Sequence, residues 1–240
     1  MRHKDYPRQL PPRGNKVNKP LLDESTRLSA GMLRRLHKGR ELWAGVEIAR
    51  NRQEISEILH HRYAIYMRDR GPHYPGLDHD ALQLRDDEDK NAILLFTHDE
   101  SGKVVASMRI RLQSIRDLNH LEQIAFVGAS EQGSQAASAA QLARMCSSGS
   151  QRASPQLFRM MLYAYFFGIS NGVRFAFLSS RINTQVLYEN LGYRAMGQGG
   201  DGLVPMGIDL LDWQHLVAVA SPYLSILSIL EAPRSCAVEK

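Results

Sequence analysis

Seven polar side chains stand along this 240-residue chain in an order that could do chemistry: Arg62, Tyr66, Asp86, Asp89, Arg109, Gln141 and Arg144. Their charges alternate in sign, and two readings are open from the residues alone. In one, they form an internal ion-pair network, with Arg62, Asp86 and Asp89 fixing a loop against the body. In the other, Arg109 and Arg144 hold a substrate carboxylate, because a guanidinium offers a carboxylate two parallel donors. A second segment, Asn183-Thr-Gln-Val-Leu-Tyr188-Glu-Asn-Leu-Gly192-Tyr193, puts an amide and a phenol on one short helix. A phenol can donate a proton to a departing anion. The plain reading of that segment is a helix with an apolar face and a glycine C-cap. Cys146 is a candidate nucleophile two residues past Arg144. It has no histidine nearby in sequence, and buried cysteines are usually inert. His60, His61, His73, His79 and His98 are scattered, and adjacent histidines on a helix point about 100° apart. Surface positions are expected for them, and no metal site.

The elements that must position these residues follow a strand–helix pattern. Residues 1–28, rich in Pro, Lys, Arg and Asn, read as an extended or disordered leader. A short basic helix fits Leu28–Leu42. Trp43–Ala49 alternates apolar and polar residues and predicts a first strand. A helical stripe follows from Arg52 to Arg68. A long polar loop then runs from Gly71 through Asp89, and loops of that length are often functional. Ala92–Thr97 and Lys103–Leu112 predict a hairpin around Gly102, and Ile124–Gly128 a further short strand. Ala129–Ala140 reads as a mobile connector and Gln141–Ser147 as a central strand. Pro155–Ile169 is a strongly apolar helix with proline in its first turn. Val173–Ser179 is a buried strand, Asn183–Asn190 a short helix, and Tyr193–Gly197 and Val204–Leu210 two final strands. Helix-like segments from Trp213 to Leu230 complete the chain. The order predicts one α/β domain with a mixed sheet: a leader over 1–40, the domain over 41–212 and a helical extension over 213–240.

Composition narrows the class. Hydrophobic residues make up 43% of the chain, enough for one sizeable core. No apolar run is long enough to span a bilayer, and no secretory signal is apparent. With only Cys146 and Cys236, a disulfide framework is not expected and the cytoplasm is the default compartment. The net charge of +5 is unevenly placed. Residues 1–40 hold 11 Lys/Arg against 3 Asp/Glu, and the remainder holds 19 against 22. The basic leader is either a solvated tail or a steering patch for an acidic partner. It lacks interleaved aromatics and no nucleic-acid motif follows, so nucleic acid is not the expected partner.

The segment from Asn183 to Tyr193 resembles the helix-to-strand segment of the GNAT N-acyltransferase superfamily. Four further stretches resemble one branch of it, the acyl-homoserine-lactone synthases and long-chain N-acyl amino acid synthases. These are His61-Arg62-Tyr63-Ala-Ile-Tyr66, Asp86-Asp-Glu-Asp89, Gly102-Lys-Val-Val-Ala-Ser-Met-Arg109 and Gln141-Leu-Ala-Arg144-Met. The resemblance covers roughly residues 43–200. It implies a mixed central sheet flanked by helices around a V-shaped cleft. It implies pantetheine contact by Asn183, proton donation to the leaving thiolate by Tyr188, and a phosphate loop near Gln151 and Arg152 ahead of a helix N-terminus. Phe158 and Met161 then belong either to core packing or to one wall of an acyl tunnel. One position departs from the pattern: the branch has Glu where this chain has Gln141, and an amide cannot serve as a carboxylate base.

The implied activity is transfer of a fatty acyl group from an acyl carrier protein thioester to the amine of an amino acid. In that reading Arg109, Arg144, Asp86, Asp89 and Arg62 bind or brace the substrate, and Gln141 positions the amine. No cofactor is tightly bound; acyl-carrier protein or acyl-CoA is the co-substrate. Alternatives left open are a lactone synthase acting on S-adenosylmethionine, an acetyl-CoA-dependent GNAT, and a non-catalytic lipid-binding module.

Overall fold

Asn51 starts the first helix. Its side chain accepts from the Glu54 N–H at 3.0 Å, a donor that a helix start leaves orphaned, and Glu54 accepts in return from the Arg50 N–H just ahead of the cap. The helix α1 (Arg52–Arg70) ends at Gly71, whose φ of +84° turns the chain away. In this computed structural model, residues 41–114, 138–148, 155–197 and 202–231 are described. The expected leader, residues 28–40 of the expected helix Leu28–Leu42, the strand Ile124–Gly128 and most of the connector lie outside them, as do Gln151 and Arg152.

Among the described residues, nine strands follow one another: β1 (Glu47–Ile48), β2 (Leu77–Asp78), β3 (Gln83–Leu84), β4 (Ile93–His98), β5 (Val104–Ser114), β6 (Ser138–Ser147), β7 (Val173–Arg181), β8 (Arg194–Ala195) and β9 (Leu203–Asp209). Seven form one sheet in the order β1-β4-β5-β6-β7-β9-β8, and β2 and β3 form a separate hairpin. Within the large sheet every pairing is antiparallel except β6 with β7. A parallel pair needs a long crossover. The helix α2 (Pro155–Ser170) supplies it, followed after β7 by a 3-10 turn (Ile182–Thr184) and α3 (Gln185–Leu191).

The two faces of the sheet divide by strand alternation. On one face, Leu95, Met108, Ile110, Ala140, Leu142, Ala176 and Leu178 join the α2 side chains Met161, Leu162 and Tyr165 in the main core. The two last helices, α4 (Trp213–Ala218) and α5 (Leu224–Glu231), add Leu216 and Ile226 to that same core, and Tyr223, just ahead of α5, joins them. On the other face, Ile58 of α1 packs on Leu94, Phe96 and Val104. Arg109 and Arg111 point to this second face as well, since they alternate with Met108 and Ile110.

Several boundaries differ from expectation. Of Trp43–Ala49, only Glu47 and Ile48 pair with β4, and residues 41–45 are turns. The apolar pattern there reflects Trp43 stacking on Phe166, with centroids 4.8 Å apart, and not a strand. The long loop after Gly71 carries its own structure: the β2–β3 hairpin and a 3-10 turn over Asp87–Asn91. Residues 138–140, expected in a connector, are the start of β6.

Candidate active site

The 3-10 turn aims three carboxylates at the sheet. Asp86 caps it by accepting from the Glu88 N–H at 3.0 Å. That fixes Asp86, Glu88 and Asp89 inward, while Asp87 turns outward to pair with Lys90 at 2.6 Å. Arg62, from α1 and fully buried, donates to Asp89 at 2.9 Å. Arg109, only 3% exposed, lies 2.9 Å from Asp86 and 3.6 Å from Asp89 and bonds Glu88. Arg111 reaches the other oxygen of Glu88 at 2.8 Å. Charges this buried persist only when paired.

Arg144 completes the cluster because β6 bulges. Ala143 pairs with Arg109 and Cys146 with Ser107, so two residues of β6 lie opposite Met108, and Arg144 adopts φ +54°. The kink brings its guanidinium to Asp86, with Nε at 2.9 Å and Nη2 at 2.5 Å, and to the Tyr74 hydroxyl at 2.8 Å. The rings of Tyr66 and Tyr74 also stand beneath it, at 5.6 and 5.7 Å. Burial pushes the Asp86 carboxyl up, but hydrogen bonds from Arg144, the Glu88 N–H and Arg109 outweigh it and hold the group at about 2.

The register of β6 with β7 runs from Ser138↔Val173 to Gln141↔Phe177 and stops there, although β6 continues to Ser147 and β7 to Arg181. The two strands diverge into a V. A cavity of about 1010 Å³ fills the opening and reaches both sheet faces. On the α1 side it is lined by Tyr66, Arg68, Arg144 and Cys146, and on the α2 side by Leu157, Phe158, Met161 and Tyr188. Burial raises the Tyr188 phenol to about 12, so it stays protonated and able to donate.

The residues singled out in the sequence therefore separate. Arg144, Phe158, Met161 and Tyr188 line the cavity. Arg62, Asp86, Asp89 and Arg109 sit in the ion-pair cluster behind it, and Arg109 is engaged by carboxylates of the protein itself. Gln141 stands at the apex of the V, opposite Arg111 and Phe177, with its Oε1 buried and without a hydrogen-bond partner among the described residues. Asn183 is exposed on the 3-10 turn and does not line the cavity. Sequence reasoning missed Glu88, Tyr74 and Arg111. Arg111 was signalled by its period-two spacing from Arg109, which puts both on one sheet face. It also placed the histidines at the surface, whereas His61 is buried and its Nδ1 lies 3.9 Å from Cys146 Sγ. No group of His, Cys, Asp and Glu among the described residues could hold a metal ion, and no helix there is long and apolar enough to cross a membrane.

The mixed seven-stranded sheet flanked by helices, with its one parallel pair, is a GNAT-like fold. Three solved structures share it. TofI, crystallised in a ternary complex with an inhibitor and MTA, aligns at 18% identity over 75% of this chain and 98% of its own, with a TM-score of 0.53. FeeM, an N-acyl amino acid synthase from uncultured soil microbes, aligns at 12% identity over 72% and 95%, with a TM-score of 0.53. The AHL synthase LasI aligns at 14% identity over 72% and 93%, with a TM-score of 0.51. No family model and no curated protein matches the chain.

Proposed function

We propose that this protein is an N-acyltransferase that moves a fatty acyl group from a carrier thioester to the amine of an amino acid. The observation that carries the reading is the cavity in the V between β6 and β7. It is charged at one end, apolar at the other and walled by a protonated phenol. That polarity suits a donor with a polar thioester arm and a hydrocarbon tail. Phe158 and Met161 face the tail, and methionine adapts to chains of differing length. Arg68, Arg70 and Arg181 line the same cavity and suit an anionic donor such as a phosphopantetheine arm. Acyl carrier protein is the donor we favour, with acyl-CoA as the other source of that arm.

In the reaction, the neutral amine attacks the thioester carbonyl carbon, the C–S bond breaks, Tyr188 gives its proton to the departing thiolate, and the proton that the amine nitrogen sheds restores the phenol. Gln141 stands at the apex of the V behind the lining residues with its Oε1 buried, and its amide cannot deprotonate the amine. Arg144 is the guanidinium of the cluster that also lines the cavity, so it orients the acceptor carboxylate. Arg62, Asp86, Asp89 and Arg109 hold the acidic turn against the sheet and fix Arg144 in place.

Incubating the protein with acyl-carrier and acyl-CoA thioesters from acetyl to palmitoyl, together with an amino acid pool, tests the reading by mass spectrometry. N-acyl amino acid with matching thiol release is expected. No thiol release and no amide product across the donors would reject it. Lactone formed from S-adenosylmethionine would move the assignment to the lactone synthases, whose fold LasI exemplifies.

A further inference from the structure

Of the two members of the polar series on α1, Arg62 is fully buried in the ion-pair cluster, and Tyr66 reaches the cavity wall. Arg144 lines the same wall, and the two side chains meet there. The guanidinium stands 5.6 Å over the Tyr66 ring and donates to its hydroxyl. A guanidinium has five N–H groups to give. Nε and one N–H of Nη2 serve Asp86, one of Nη1 serves Tyr74 at 2.8 Å, and one more serves Tyr66. That leaves one N–H for a ligand. A carboxylate takes two parallel donors, so Arg144 alone cannot grip it by both oxygens.

Tyr66 has the missing donor. Its oxygen accepts from Arg144, which leaves its own proton to give. Burial and the neighbouring Cys146 push the Tyr66 phenol up, ahead of a downward pull from Arg144, so the proton stays on the oxygen. The Tyr74 hydroxyl accepts from the same guanidinium, but Tyr74 does not line the cavity. The tilted packing of the two rings, with centroids 4.8 Å apart, fixes Tyr66 beside Arg144.

We propose that Tyr66 binds the acceptor amino acid, its hydroxyl donating to one carboxylate oxygen while the remaining N–H of Arg144 donates to the other. The inference rests on the reading of the cavity as an acyl-transfer site. It makes the acceptor clamp a mixed one, half phenol and half guanidinium, built from α1 and β6. Holding the carboxylate on the α1 side leaves the α-amine, one carbon away, to face the wall that carries Tyr188. An acceptor without a carboxylate loses both bonds and strands two donors at the wall.

The test measures initial rates of the full chain with one saturating acyl-carrier thioester and two acceptors: the pool amino acid turned over fastest, and its methyl ester. Wild type should favour the acid by at least about tenfold in kcat/KM, because a site built to hydrogen-bond a group rejects an analogue that cannot pair with it. Tyr66→Phe keeps the ring beneath Arg144. It should raise KM for the acid by about tenfold, with KM for the ester and for the donor unchanged and the melting temperature retained. Tyr74→Phe takes a hydroxyl from Arg144 away from the cavity, and its effect on the acid should be clearly smaller. Equal losses in the two variants would mean that the Tyr66 phenol acts only through Arg144, and would overturn the proposal. A loss in Tyr66→Phe shared alike by acid and ester, or no loss, also overturns it. So does a wild type that does not favour the acid, a result that stands even if a variant fails to fold. Each of these leaves the acyltransferase reading intact. No transfer to either acceptor by wild type rejects that reading and this inference with it.

Discussion

Asp86 holds two guanidiniums while capping its own turn. The ionised carboxylate is the form those partners hold, so its stabilisation is complete above the unfolded value of ~3.9 and fades as pH falls toward about 2. The shift corresponds to about 2 kcal/mol. In acid denaturation, the gap in unfolding free energy between wild type and Asp86→Asn should shrink by about that amount between roughly pH 5 and pH 2. A gap that stays constant would remove the pairing from the account. Tyr188 gives the complementary test of chemistry. Tyr188→Phe keeps the ring and deletes the donor, so thiol release should fall by about a hundredfold with melting little changed. Stopped thiol-trapping assays and a thermal melt separate the two effects. The sequence made the charged residues visible and left their pairing undecided. Arg144 and Asp86 stand 58 positions apart, and only the fold decides whether a guanidinium faces a protein carboxylate or an open cavity. Arg144 does both, which neither reading of the alternating charges contained.

At the scale of elements, helix ends were the most legible features because their signals are local. Pro155 opens α2 as its place in the first turn predicts, and Gly192, with φ +108°, closes α3. The alternation in Trp43–Ala49 misled because burial against α2 produces an apolar pattern as readily as a sheet does. The β6 bulge had no local signal: arginine is not a residue that favours φ +54°. That gives a paired prediction. Arg144→Ala loses the bonds to Asp86 and Tyr74 while keeping the left-handed backbone, and should cost roughly 2–3 kcal/mol. Arg144→Gly loses the same bonds and relaxes the backbone, so it should melt higher than the alanine variant by about 1 kcal/mol of stability. Transfer should be lost in both. Equal stability in denaturant titrations would mean that the bulge is set by the neighbouring strands and not by strain at this residue.

Across the whole molecule, the sheet behaves as two plates joined along a short seam from Ser138–Val173 to Gln141–Phe177. On the α2 side the cavity beyond the seam is lined by Met161 and Phe158. Filling that end should shorten the acyl chain accepted. Met161→Trp should leave acetyl transfer unchanged and weaken long-chain donors by about fourfold for each methylene excluded, from about 0.8 kcal/mol apiece. A chain-length series of KM values measures this, and a uniform loss at all lengths would place the tail elsewhere. The open V has a further consequence, for solubility. Past the seam, β6 and β7 present backbone donors and acceptors to each other across a gap with no strand between them. Such an edge is a template for any extended chain, including another unfolding copy of the same protein. A donor arm lying in the gap would act as a plug. On slow heating, light scattering should therefore begin at a higher temperature when the site is saturated with donor, by more than the shift in the unfolding midpoint alone.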